Sequence, residues 1–135
     1  MAQKDREKPK LRHLAIITAD PNKLADFYEQ VFEMEVLERS ERGAVFVTDG
    51  TINLALIPNR AVGKPSGINH FGFEVKDGAE IAKRLEAYGL PGPKDRPANR
   101  HYAQQRAMDP DGNNFDISEN GYQTVRPERE DIEAD

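Results

Sequence analysis

The sequence has no cysteine and no tryptophan among its 135 residues. Without cysteine there can be no disulfide, no thiolate nucleophile, and no Cys-ligated zinc or iron–sulfur site. Long apolar runs are missing too. Leu14–Ile17 and Leu54–Ile57 are among the longest, far below the roughly 18 residues of a transmembrane helix. Basic residues are outnumbered, 19 Lys and Arg against 24 Asp and Glu for a net charge of −5, which argues against a general nucleic-acid or anionic-membrane surface. The opening MAQKDREKPK carries charge with no apolar segment behind it, so no secretory signal is expected. These absences predict a soluble, cytoplasmic protein. The length predicts one domain, large enough to stand on a hydrophobic core alone.

What is present is a repeat framed by two charged ends. Residues 1–10 and 123–135 are nearly free of large apolar groups and are expected to be flexible tails. The domain is expected over 11–122, with module one at 11–62 and module two at 68–122. Leu11-Arg12-His13-Leu14-Ala15-Ile16 is mirrored 57 residues later by Ile68-Asn69-His70-Phe71-Gly72-Phe73. Both read as apolar strands with a histidine at the third place. Each runs into an aspartate suited to cap a helix, Asp20 before Pro21 and Asp77 three residues before Glu80. Leu24, Phe27, Tyr28 and Val31 then recur at helical spacing, as do Ile81, Leu85 and Tyr88, and Gly89 is placed to end the second helix. Strands are expected at Met34–Arg39, Ala44–Thr48 and Ile52–Ile57, and again near residues 94–97, at Tyr102–Met108 and at Asn114–Ser118. Gly43, Asp49-Gly50 and Asp109-Pro110-Asp111-Gly112 supply the turns. The order is β-α-β-β-β, twice, and predicts an α+β fold in which paired modules form one curved sheet around a central cavity.

The repeat also pairs positions late in each module. Aligning Ile52-Asn53-Leu54 with Phe115-Asp116-Ile117 makes Asn53 the counterpart of Asp116, as His13 is of His70. His13, His70 and Asp116 are then a set of two histidines and one carboxylate, the ligand type that holds Fe, Mn, Zn, Ni or Co with positions left open. Each residue has an ordinary reading as well, since a lone strand histidine is commonly a satisfied core residue and an aspartate near a hairpin a turn former. On the residues alone the two readings are evenly weighted. Strand alternation puts Tyr102, Gln104, Arg106 and Met108 on one face. An inward Arg106 would pair with a substrate carboxylate or phosphate, and its equal alternative is an internal salt bridge to an acidic neighbour.

The strings RHLAIITADPNKLADFYEQVFEM, INHFGFEVKD and DPDGNNFDI resemble the vicinal oxygen chelate superfamily, which includes glyoxalase I, methylmalonyl-CoA epimerase, extradiol dioxygenases and bleomycin-resistance proteins. The resemblance covers about residues 11–120. It implies a homodimer of β-α-β-β-β modules, a divalent metal ion and a small-molecule substrate. By position it assigns His13, His70 and Asp116 to the metal, although most members carry glutamate where Asp116 stands. It places Asn53 at a fourth corner where relatives use a carboxylate or glutamine. Asparagine cannot act as a base, so proton transfer of the glyoxalase or epimerase type is disfavoured there. The expectation is a metal-dependent lyase or dioxygenase acting on a small anionic oxygenated molecule. Arg106, Gln104 and Asn53 are candidate substrate contacts, and Arg106, His101 and Tyr102 candidate catalytic groups. The alternative is a non-catalytic, ligand-sequestering protein of the bleomycin-resistance type.

Overall fold

The computed structural model describes residues 8–61, 63–97 and 103–123. The first half of the chain runs β1 (Lys10–Thr18), α1 (Pro21–Phe32), β2 (Glu35–Arg39), β3 (Val45–Thr48) and β4 (Asn53–Pro58). The second runs β5 (Gly67–Glu74), α2 (Gly78–Ala87), β6 (Lys94–Asp95), β7 (Gln105–Met108) and β8 (Asn114–Ser118). Both modules are therefore present in the expected order. The strand expected to open at Tyr102 begins instead at Gln105, and Tyr102 itself lies outside the described residues. So do most of the two charged ends.

Local chemistry sets the helix starts. The Asp20 carboxylate accepts from the Lys23 N–H at 3.1 Å, with Pro21 at the first helical position. Asp77 accepts from the Ala79 and Glu80 N–H groups at 3.0 and 3.2 Å. Each cap satisfies backbone donors that have no partner within the helix, a contribution of about 0.5–2 kcal/mol. Gly89, at φ +96°, ends α2 in the left-handed conformation that glycine adopts without a Cβ clash.

The eight strands form one mixed sheet in the order β2-β3-β4-β1-β5-β8-β7-β6. The two modules join through β1 and β5, which pair antiparallel, with His13 opposite Gly72 and Ala15 opposite His70. These two pairs exchange under a local twofold axis, so His13 and His70 are true equivalents. Ala15 and Gly72 are equivalents as well. A small residue thus faces each imidazole.

Both helices cover the same side of the sheet. Under α1, Val45, Val47, Leu54, Leu56 and Ala25 are buried, with Leu14, Ile16, Leu24 and Tyr28 packed around them. Each fully buried aliphatic side chain contributes about 1.5–3 kcal/mol. Phe27 and Val31, whose spacing reads as the packed stripe of the helix, are 48% and 56% exposed; the buried stripe is narrower, centred on Ala25. Under α2 the cover is looser. Phe71, Phe73 and Phe115, with Ile81 and Leu85, border an apolar cavity of about 450 Å³.

Candidate metal centre

The helix-free face of the sheet holds the polar residues that matter. Strand register lines up one row across seven strands: Thr48, Asn53, His13, Gly72, Asp116, Arg106 and Lys94. His70 sits two pairs further along β5 on the same face, opposite Ala15. His13, His70 and Asp116 are 1%, 2% and 0% exposed. All three come from one chain.

Their ligand-type atoms converge. His70 Nε2 lies 3.2 Å from Asp116 Oδ2, His13 Nε2 lies 3.4 Å from His70 Nε2, and His13 Nε2 lies 4.0 Å from Asp116 Oδ2. The opposite ring nitrogens are engaged. His13 Nδ1 donates to Asn53 Oδ1 at 2.9 Å, and His70 Nδ1 donates to Asn69 Oδ1 at 2.7 Å. The Asn53 amide is itself oriented, because its Nδ2 donates to the Tyr122 carbonyl at 2.9 Å. An amide oxygen can only accept, so each Nδ1 carries a ring proton, and in the neutral imidazole each Nε2 presents a lone pair.

Two lone pairs and a carboxylate oxygen thus face one point inside the protein. Buried Asp116 Oδ2 accepts no hydrogen bond. Such an arrangement is repulsive until a cation fills it. Ligand atoms about 2.0–2.2 Å from a divalent ion lie roughly 3.0–3.5 Å apart, close to the shorter two separations here. The donor set therefore fits a divalent ion held by two histidines and one carboxylate, with positions left open.

Asp116 is held from behind. Arg106 Nε donates to Asp116 Oδ1 at 2.7 Å, which turns Oδ2 toward the imidazoles. Burial pushes the Asp116 carboxyl up, but its charged surroundings, the Arg106 guanidinium bonded to Oδ1 among them, outweigh it and hold the group well below the usual carboxylate range. The internal ion pair expected as one reading of Arg106 is present. Its side chain is still 21% exposed. It also lines a cavity of about 640 Å³ together with Lys94, Arg96, Met108 and Asn114, and with Asp95 and Asp109.

The register corrects the repeat alignment. Ala15 pairs with Ala55 as its equivalent Gly72 pairs with Asp116. The counterpart of Asp116 is therefore Ala55, not Asn53, and the alignment of the last strands is two residues out. Asn53 is not at the fourth corner. It stands behind His13, with both ends of its amide committed within the protein. The fourth corner carries only the Ala55 methyl.

The other candidates divide. Gln104 Oε1 accepts from the Glu119 N–H, beyond the end of β8. His101 and Tyr102 lie outside the described residues. Three residues that sequence reasoning passed over belong to the site: Asn69, Gly72 and Tyr122. Gly72 had a visible signal, the small residue two places after each histidine in His13-Leu14-Ala15 and His70-Phe71-Gly72.

The Glyoxalase/Bleomycin resistance protein/Dioxygenase superfamily matches residues 10–117. The chain belongs to this superfamily. Among solved structures it resembles a hypothetical protein of Bacillus halodurans C-125 at 17% identity and TM-score 0.64, covering 82% of this chain and 94% of that one. It also resembles the 2,3-dioxygenase LapB of Pseudomonas sp. KL28 at 19% identity and TM-score 0.63, over 85% of this chain and 42% of LapB. The methylmalonyl-CoA epimerase of Mycobacterium tuberculosis matches at 16% identity and TM-score 0.59, over 79% of this chain and 85% of that one. At these identities the likeness shows the fold alone. No curated protein matches the chain. As a superfamily member it has a buried His-His-Asp site able to hold a divalent metal, in a fold associated with small-molecule binding. Among the described residues no helix is long and apolar enough to cross a membrane.

Proposed function

We propose that this chain is a divalent-metal-dependent enzyme of the glyoxalase/dioxygenase superfamily, of lyase or dioxygenase type, acting on a small anionic oxygenated molecule in the cytoplasm. One observation carries the reading: His13 Nε2, His70 Nε2 and Asp116 Oδ2 converge as ligand-type atoms in a buried site. A bound divalent ion supplies Lewis acidity toward a substrate oxygen, or a meeting place for substrate and O₂. Every other role falls to the chain itself. Arg106 orients the Asp116 carboxylate and presents its exposed edge to the adjoining cavity, where Lys94 and Arg96 add positive charge. That charge supports an anionic substrate. Asn53 is left out of substrate contact, because both ends of its amide are bonded within the protein, while Gln104, bonded through Oε1 to the Glu119 N–H, stays a candidate contact.

The dioxygenase reading is favoured over proton transfer, since Ala55 leaves the fourth corner without a base. Homodimerisation is part of the proposal and is supported by the exposed apolar side chains Phe27, Val31 and Phe32 on α1. Size-exclusion chromatography tests that part. The main experiment is metal analysis of purified protein, then turnover of small oxygenated acids with and without O₂. Metal-dependent, O₂-dependent turnover is the expected result. Tight binding of such an acid without turnover, unaffected by metal removal, would establish the sequestering alternative instead.

A further inference from the structure

Tyr122 lies beyond the last strand of the repeat, yet it is 1% exposed and sits against the metal centre. Its ring stacks on the His13 imidazole, with centroids 4.7 Å apart and planes 5° from parallel. Its carbonyl accepts from Asn53 Nδ2, the amide whose oxygen holds His13 Nδ1. Its hydroxyl donates to the Phe73 carbonyl at 3.3 Å. One residue therefore holds His13 twice, by its ring face and through Asn53.

The surroundings are shaped for it. A Cβ at Gly72 would stand 2.5 Å from the Tyr122 hydroxyl and 3.1 Å from His13 Cβ, so no other residue at 72 admits the ring in this place. Tyr122 belongs to one buried cluster with Ala15, Ala44, Phe46 and Ala55, the residue at the fourth corner. The turn leading to it is closed by Ser118 Oγ, which accepts from the Gly121 N–H at 3.0 Å. Gly121 itself has φ +82°, and a Cβ there would lie 3.3 Å from the Glu74 carboxyl.

We infer that Tyr122 is a positioning residue for the metal ligand His13, and that the turn after β8 completes the metal centre from beyond the last strand of module two. The inference rests on the reading that His13, His70 and Asp116 hold a divalent ion. Groups that orient a ligating histidine through its second nitrogen typically change metal affinity about 10–100-fold when lost.

The test titrates Co(II) and Zn(II) into the full-length metal-free chain and reads affinity and the visible spectrum of bound Co(II). Wild type is expected to bind one ion per chain. Tyr122→Phe keeps the ring and the carbonyl and should bind within about twofold of wild type, whereas Tyr122→Leu and Gly72→Ala should bind about 10–100-fold more weakly with an altered Co(II) spectrum. Leu56→Ala, in the core under α1, loses stability but should leave the affinity of the folded protein unchanged. A folded Tyr122→Leu variant with wild-type affinity and spectrum overturns the inference and leaves the metal reading standing. If that variant does not fold, Gly72→Ala decides on the same criterion. A wild-type chain that binds neither ion removes the metal reading, and this inference with it.

Discussion

The two modules share one topology and almost nothing of their chemistry on the helix-free face. In module one that face is apolar beyond the row of Thr48, Asn53 and His13: Ala15, Ile17, Ala44, Phe46, Ala55 and Ile57 form a buried cluster with Ala103 and Tyr122. In module two the counterparts of Ala15, Ala55 and Ile57 are Gly72, Asp116 and Ser118, of which Asp116 and Ser118 are buried and polar. The sharpest contrast is at one equivalent pair, a methyl at Ala55 against a carboxylate at Asp116. Beneath the helices the contrast reverses the gain, since α1 closes its core and α2 leaves a cavity of about 450 Å³. A duplicated backbone thus offers symmetric positions, and side chains divide the labour. One half contributes packing and a single histidine. The other contributes two of the three residues able to hold a metal, His70 and Asp116.

The largest effect should come from removing both imidazoles that meet across the twofold axis. His13→Ala with His70→Ala is expected to abolish stoichiometric binding of divalent metal, measured by metal analysis after dialysis. Retained metal would place the site elsewhere.

Next in size is the fourth corner. Ala55→Asp restores the symmetric carboxylate in an apolar cluster and should destabilise metal-free protein by about 3–5 kcal/mol, the range for an uncompensated buried charge. If Ala55 truly mirrors Asp116, added Zn(II) should recover part of that loss, because a ligand that binds only the folded state stabilises it. Thermal melts with and without the ion decide this, and a loss that the ion does not touch would break the equivalence.

The packing difference predicts a further asymmetry. Phe46→Ala, in the sealed core of module one, should cost about 3–5 kcal/mol. Phe71→Ala should cost clearly less, because Phe71 is half-buried and already borders the cavity under α2. Urea denaturation measures both, and equal losses would show that the looser cover does not matter.

The smallest effect concerns the turns that precede β4 and β8. Asp49 is held below its ordinary value first by the Ile52 N–H and then by that of Thr51, and Asp109 first by the Asn113 side chain and then by its N–H. A carboxyl depressed on folding stabilises the protein above its unfolded value of 3.8, and this is lost as pH falls through the folded value. Asp49→Asn and Asp109→Asn should each lose a small amount of stability at neutral pH and none in strong acid, which flattens the acid limb of the stability curve slightly. Both groups are at the surface, so screening keeps the effect small. A large loss at neutral pH would mean that these turns organise the strands they precede.

Much of this molecule is legible in its sequence. The repeat of a histidine strand and an Asp-capped helix is local chemistry, written in residues a few places apart. His13, His70 and Asp116 could be named as a set because residue type and alternation survive without coordinates. Arg106 could be given two readings but not one, since choosing between a ligand contact and an ion pair needs the distance to Asp116 Oδ1.

What tertiary structure alone decided is register and the path of the chain after β8. Side chains alternate with period two along a strand, so a one-residue slip reverses the face and is visible, whereas a two-residue slip keeps the face and is not. That is why Asn53 passed for the partner of Asp116 until the pairing of Ala15 with Ala55 and of Gly72 with Asp116 showed otherwise. Tyr122 follows the same logic. No pattern links a tyrosine after β8 to a histidine on β1, because their stacking depends on a turn at Gly121 and an empty place at Gly72 that meet only in the folded sheet.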